Sequence, residues 1–134
     1  TVATEQLTVK LAERIQELSA RGAPLKDIAI ISLHGLNRSA LKGMDRLGEF
    51  SLSHFTGDYT PDGQQIWTEG DIVFDSIYRF KGSQRPFIVL IDADFNAITE
   101  DVVRRFYCGM TRATLGVDVF MAPVCEAALR ESLA

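Results

Sequence analysis

Cysteine is scarce in this chain: Cys108 and Cys125 are the only two among 134 residues. Two thiols are too few for a disulfide framework or a four-thiolate zinc site. Reduced, buried thiols are the expectation, as in a cytoplasmic protein. Histidine is equally sparse, and His34 and His54 are too isolated to suggest a metal centre or a catalytic triad. Long apolar runs are missing too. IAIISL and FIVLI fall far short of the ~20 residues that span a bilayer, so no membrane partner is expected. The start shows no basic, apolar, small-residue signal pattern. It does show Thr1 rather than Met, which leads us to expect a fragment of a longer protein or a processed chain. Repeats, low-complexity tracts and long linkers are also lacking.

The most telling absence is a glycine-rich loop ending in Lys and then Ser or Thr. Such a loop presents backbone N–H groups to phosphate. Lys81-Gly82-Ser83 has similar letters, but the order is wrong and the upstream glycine is missing. This chain is therefore not expected to hydrolyse a nucleotide unaided. Its formal net charge of −4 also argues against a domain that holds nucleic acid alone, because phosphate neutralisation needs a basic excess.

What remains is an ordinary globular composition, 46% hydrophobic, of a length that suits one domain with its own core. Residues 1–22 read as a leading helix. Thr4 can cap it, Leu7, Leu11, Ile15 and Leu18 share one face, and Gly22 and Pro24 stop it. Ile28 to Leu33 reads as a strand buried on both faces. Leu36, Ala40, Leu41, Met44 and Leu47 recur at helical spacing up to Gly48, which predicts a helix there. Phe50 to Phe55 alternates, and Thr60-Pro61-Asp62-Gly63 is a turn signal. With strands expected at Gln64 to Thr68 and Ile72 to Ile77, the middle reads as an antiparallel hairpin returning to the main sheet.

Phe87 to Ile91 is a second buried strand. Thr99 caps the following helix, with Glu100 and Asp101 favourably placed at its positive end. Val102, Val103, Phe106, Tyr107 and Met110 are its expected apolar face. A strand at Val117 to Met121 and a short helix from Glu126 to Leu133 close the chain. Alternating strands and helices predict an α/β fold with a mainly parallel sheet and a small β-hairpin insertion.

Two segments carry chemistry. Ser76-Ile77-Tyr78-Arg79-Phe80-Lys81-Gly82-Ser83-Gln84 leaves one strand and leads to another. Tyr107-Cys108-Gly109-Met110-Thr111-Arg112-Ala113 ends the helix that follows. In this order, with the strand Phe87 to Ile91 between them, they resemble the C-terminal (second RecA-like) motor domain of UvrD/Rep-like superfamily 1 DNA helicases. The first segment is similar to Thr-x-His-x-x-Lys-Gly-x-Glu, and the second to Tyr-x-x-Met-Thr-Arg-Ala. The resemblance extends from about Asp27 to Met121. It implies a three-layer RecA-like domain.

It also implies partners that this chain lacks. These are an N-terminal P-loop ATPase domain of the same protein, holding ATP and Mg2+, and single-stranded DNA (or RNA). No cofactor is expected on the isolated chain. Arg112 would be the catalytic arginine that reaches the nucleotide's terminal phosphate, with Thr111 beside it. Gly82 and Gln84 would lie at the nucleotide, Gln84 standing where the family has Glu near the sugar. Ser76, Tyr78 and Lys81 would contact the nucleic acid, although Lys81 also reads as an ordinary exposed lysine. Arg105 precedes Arg112 by seven positions, near the same helical azimuth, so that both could face one cleft. It reads equally well as a structural arginine.

A second family feature is altered besides the Glu replaced by Gln84. Where the family has Tyr-Arg-x-Asn after an earlier strand, this chain has Ser32-Leu33-His34-Gly35-Leu36-Asn37-Arg38. Arg38, a candidate nucleotide contact, and His34 are the possible replacements. A binding module that keeps the fold without catalysis is the alternative. Asp92 and Asp94 follow the central strand and could hold a metal, but we read them as structural or interface residues. Trp67, Phe74 and Tyr78 could stack on bases if exposed.

Overall fold

The computed structural model describes residues 2–80 and 83–133, with side chains described from Gln6. The first helix, α1, covers Val2–Ala20. The expected cap Thr4 therefore lies inside it, and the side chain of Thr4 is outside the described set. Leu11, Ile15 and Leu18 are buried along one face, and Gly22 ends the helix in the left-handed region at φ 101°.

Eight strands follow among the described residues. They are β1 (Ile28–Ser32), β2 (Arg46–Leu47), β3 (Phe50–Ser53), β4 (Phe55–Tyr59), β5 (Gln65–Trp67), β6 (Ile72–Ser76), β7 (Arg85–Ala93) and β8 (Ala113–Met121). Helices α2 (Glu100–Met110) and α3 (Pro123–Leu133) flank β8. Six strands form one sheet in the order β2-β3-β6-β1-β7-β8, and β4 and β5 form a separate two-stranded hairpin. Every pairing in the large sheet is parallel except β2 with β3. β1 lies centrally and is buried at all five positions, as its apolar run requires.

Two cores result, one on each face. Leu11, Ile15 and Leu18 of α1 pack on Ile28, Ile30, Val89 and Ile91. On the other face, Ile31, Ile88 and Leu90 pack against Ile77, Phe80, Phe106 and Cys125. Helix, sheet and helix make three layers, an α/β arrangement of the RecA type.

The expected helix over Leu36 to Leu47 is absent. That stretch holds a single 3-10 turn at Leu36–Arg38, then turns, and then β2. Gly43 adopts φ 76°, which no helix accommodates, and Ser39 Oγ accepts the N–H of Leu41 at 3.2 Å. Leu41 and Leu47 are still fully buried, so the apolar positions were core but not helical.

The apolar face of α2 is also corrected. Val102 and Gly109 are buried, whereas Val103, Tyr107 and Met110 are exposed. Gly109 is there for close packing: a Cβ on it would stand 2.7 Å from Leu90 Cδ2. Thr99 caps this helix as expected, its Oγ1 accepting the N–H of Val102 at 3.3 Å. Helix α3 starts at Pro123, three residues before the expected Glu126, and proline suits a first helical turn.

Candidate nucleotide and strand interface

Asp75 and Ser76 end β6, and the chain then turns sharply. Ile77 and Phe80 are buried and fix the turn to the sheet, while the N–H groups of Arg79 and Phe80 donate to the Ser76 carbonyl at 3.2 and 3.0 Å. Ser76 is buried, and its Oγ accepts the Arg79 N–H at 3.3 Å. A side chain so placed shapes the turn and does not project outward. Tyr78, between the two anchors, is half exposed, with the Arg105 guanidinium 5.5 Å from its ring centre. Lys81 and Gly82 lie outside the described residues.

From there the chain reaches the opposite end of the sheet, where β7 begins. Gln84 is exposed, and its carbonyl accepts from Arg85 Nη1 at 2.9 Å. The Arg85 N–H donates to the carbonyl of Arg112 at 3.1 Å, so this contact draws the two motif segments together. Thr111 is exposed and turns its hydroxyl back on the end of α2, donating to the Tyr107 carbonyl at 2.8 Å. Arg112 is half-buried, and its Nε is buried with no hydrogen-bond partner. A guanidinium is an obligate donor, and burying one of its N–H groups unpaired is unfavourable. His34 Nδ1 and Arg105 Nε are also buried without a partner, but those side chains bond through their other nitrogens, and of the three only Arg112 makes no side-chain hydrogen bond among the described residues.

Arg38 and Arg105 are elsewhere. Arg38 is exposed just beyond the C-terminal end of β1, at the sheet edge opposite the backbone of Arg112. Arg105 is half-buried: Nη1 donates to the Leu33 carbonyl at 3.2 Å, and Nη2 lies 2.6 Å from Asp101. It clamps α2 to the end of β1 rather than facing one cleft with Arg112.

At that same edge lies a network that sequence reasoning missed. Ser32 Oγ donates to Asp92 Oδ2 at 2.5 Å, Asp92 Oδ1 accepts the Ala40 N–H at 3.0 Å, and His34 Nε2 meets Asp94 Oδ1 at 2.7 Å. Asp92 is held at φ 63°, a strained backbone for a residue other than glycine. His34 packs edge-on to Phe95 at 5.2 Å. Only the repeated Ser-x-His and Asp-x-Asp spacings at two strand ends hinted at it. Both carboxylates are engaged within the chain, and among the described residues no three His, Cys, Asp or Glu side chains are placed to hold a metal.

Burial pushes the Asp75 carboxyl above its ordinary value, an effect that the Ser76 N–H and the Arg79 guanidinium partly oppose. Burial likewise raises the Cys125 thiol, which stays an unreactive core group.

Residues 71–119, which run from the start of β6 through most of β8, match the family model of the UvrD-like helicase C-terminal domain. That stretch, just over a third of the chain, is similar to UvrD-like helicase C-terminal domains. The match contains both motif segments and the contact between Arg85 and Arg112. The hairpin β4–β5 and the altered segment 32–38 fall outside it. No curated protein matches the chain. Among the described residues no helix is long and apolar enough to cross a membrane.

Proposed function

We propose that this UvrD-like domain is the second motor domain of an ATP-dependent superfamily 1 helicase or translocase. In this reading it works in the cytoplasm and docks on an N-terminal P-loop domain of the same protein, which holds ATP with Mg2+. Bound there, the nucleotide supplies the phosphoryl transfer. This chain supplies Arg112, which stabilises charge developing on the transferred group, a contribution of roughly 10³–10⁵ in rate for an arginine finger. The observation that carries this reading is the buried, unpartnered Nε of Arg112 beside the exposed Gln84, within the matched stretch. The amide of Gln84 hydrogen-bonds a ribose hydroxyl without the charge a Glu would bring. Tyr78, on the turn after β6, and Lys81 of the same motif segment meet single-stranded DNA (or RNA), and Ser76 supports the turn from within.

In the intact two-domain protein, Arg112→Ala should cut ATP turnover by about 10³-fold or more without changing the melting temperature, and Arg112→Lys should recover little. Near-normal turnover in Arg112→Ala would remove the finger assignment. The 134-residue chain alone should hydrolyse no ATP.

A second reading, a non-catalytic binding module, draws support from Arg38. It stands at the opposite edge from Arg112 and offers that residue no paired guanidinium. Strand binding by the intact protein with no strand-stimulated turnover would favour it.

A further inference from the structure

A cleft of about 490 Å³ lies between the hairpin β4–β5 and the turn that follows β6. One wall is β5, with Gln65 and Trp67. The other is the turn, with Arg79 and Ser83, and Arg85 borders the same cleft. Its floor includes Val73 and the buried ring of Phe80.

The groups in it are held in place by one another. The side-chain oxygen of Gln65 accepts from Trp67 Nε1 at 3.2 Å and from Arg79 Nη2 at 2.9 Å. Arg79 Nε donates to Asp75 at 3.2 Å, and its guanidinium lies 4.0 Å over the Phe55 ring. The indole is therefore oriented before any ligand arrives, which lowers the ordering entropy of binding. The one carboxylate in the cleft is matched by Arg79, and Arg85 adds a further positive charge. A half-buried indole, oriented arginines and hydrogen-bonding side chains suit a planar aromatic ligand that carries anionic neighbours. The volume lies in the range of small-ligand pockets, and the polar lining does not suit an apolar peptide.

We propose that this cleft takes an unpaired nucleobase of a single strand, stacked on Trp67, with a flanking phosphate on Arg85. The inference rests on the motor reading for the presence of a strand. It adds a base contact where that reading gave only a grip by the turn. Trp67 and Gln65 lie outside the stretch that matches the family, so the site belongs to this chain's hairpin.

Trp67 is the only tryptophan, and its fluorescence reports on the site directly. The intact two-domain protein, with any tryptophan outside these 134 residues replaced by phenylalanine, would be titrated with a twelve-residue oligothymidylate and with an abasic strand of equal length and charge. The expected result is quenching by the oligothymidylate and none by the abasic strand. Trp67→Ala should weaken oligothymidylate binding by roughly 10-fold or more, and Trp67→Phe should keep most of the affinity. Circular dichroism would confirm that both variants fold. Equal binding of the two strands, or unchanged affinity in Trp67→Ala, overturns the base site. If oligothymidylate stimulates turnover of the intact protein while Trp67 fluorescence stays constant, the base site falls and the motor reading stands. If no strand binds the intact protein, both fall.

Discussion

Arg105 on α2 and Leu33 at the end of β1 are joined across 72 positions of sequence by a hydrogen bond of 3.2 Å from guanidinium to carbonyl. The contact gives α2 a fixed height on the sheet, and with it the place of the Thr111-Arg112 corner about two helical turns further on. Arg105→Met keeps the apolar stem and removes the donor. It should lower stability by about 1–3 kcal/mol, since the Leu33 carbonyl is left without that partner. Urea unfolding would measure it, and a variant as stable as the parent would show that the clamp contributes nothing.

Gly109 faces Leu90, and there is no room for a branched side chain between them. Gly109→Val should destabilise the fold by about 1–3 kcal/mol through overpacking. The same substitution should reduce turnover of the intact protein, because the end of α2 leads directly into Arg112. A melting temperature equal to that of the parent would contradict the packing argument.

Asp92 combines a left-handed backbone with two accepted hydrogen bonds, from Ser32 Oγ and the Ala40 N–H. Asp92→Ala loses both bonds and keeps the strain. It should lose about 2 kcal/mol, about 1 for each bond, because the strain is common to parent and variant. Asn tolerates this conformation and retains an acceptor, so Asp92→Asn should lose about half as much. Equal losses in the two variants would refute the account.

The Asp75 carboxyl has its folded pKa raised above the ordinary value of 3.8, chiefly by burial. In the window that starts there and extends upward, the folded state binds more protons than the unfolded state. The stability contributed by this group is thus complete below the window and falls as pH rises through it. Asp75→Asn removes the titration and keeps an acceptor for Ser76 and Arg79. Its stability relative to the parent should rise as pH increases from about 4. A difference that stays constant from pH 4 to 7 would show that Asp75 does not titrate this way.

Much of the layer order was legible because β1 and β7 are near-continuous apolar runs, and because Thr99, Glu100 and Asp101 mark the start of α2. The stretch from Leu36 to Leu47 was not legible. Its leucines recur at helical spacing, but they bury themselves from turns that Gly43 and Ser39 impose. The stripe of Val103, Tyr107 and Met110 deceived for a related reason. Tight packing fell to Gly109, which has no hydrophobicity to read. At the candidate site, Arg112, Gln84 and Tyr78 were proposed from motif order. The couplings of Ser32 to Asp92 and His34 to Asp94 join residues 60 positions apart, a distance that no local pattern spans. The arginine latch on the hairpin was equally invisible, since it needs the fold to bring Arg79 to Phe55 and Gln65.

Strand β3 runs parallel to β6 with Leu52 opposite Ile72 and Ser53 opposite Val73, so the chain departs and re-enters the sheet at almost the same place. Whatever lies between those two points is an appendage whose length the sheet does not sense. A loop, a longer ribbon or a whole folded module could be spliced at the Thr60 to Gly63 tip with the six strands left in register. This corner is therefore where relatives of the domain are free to grow apart, and where an engineer would attach a label.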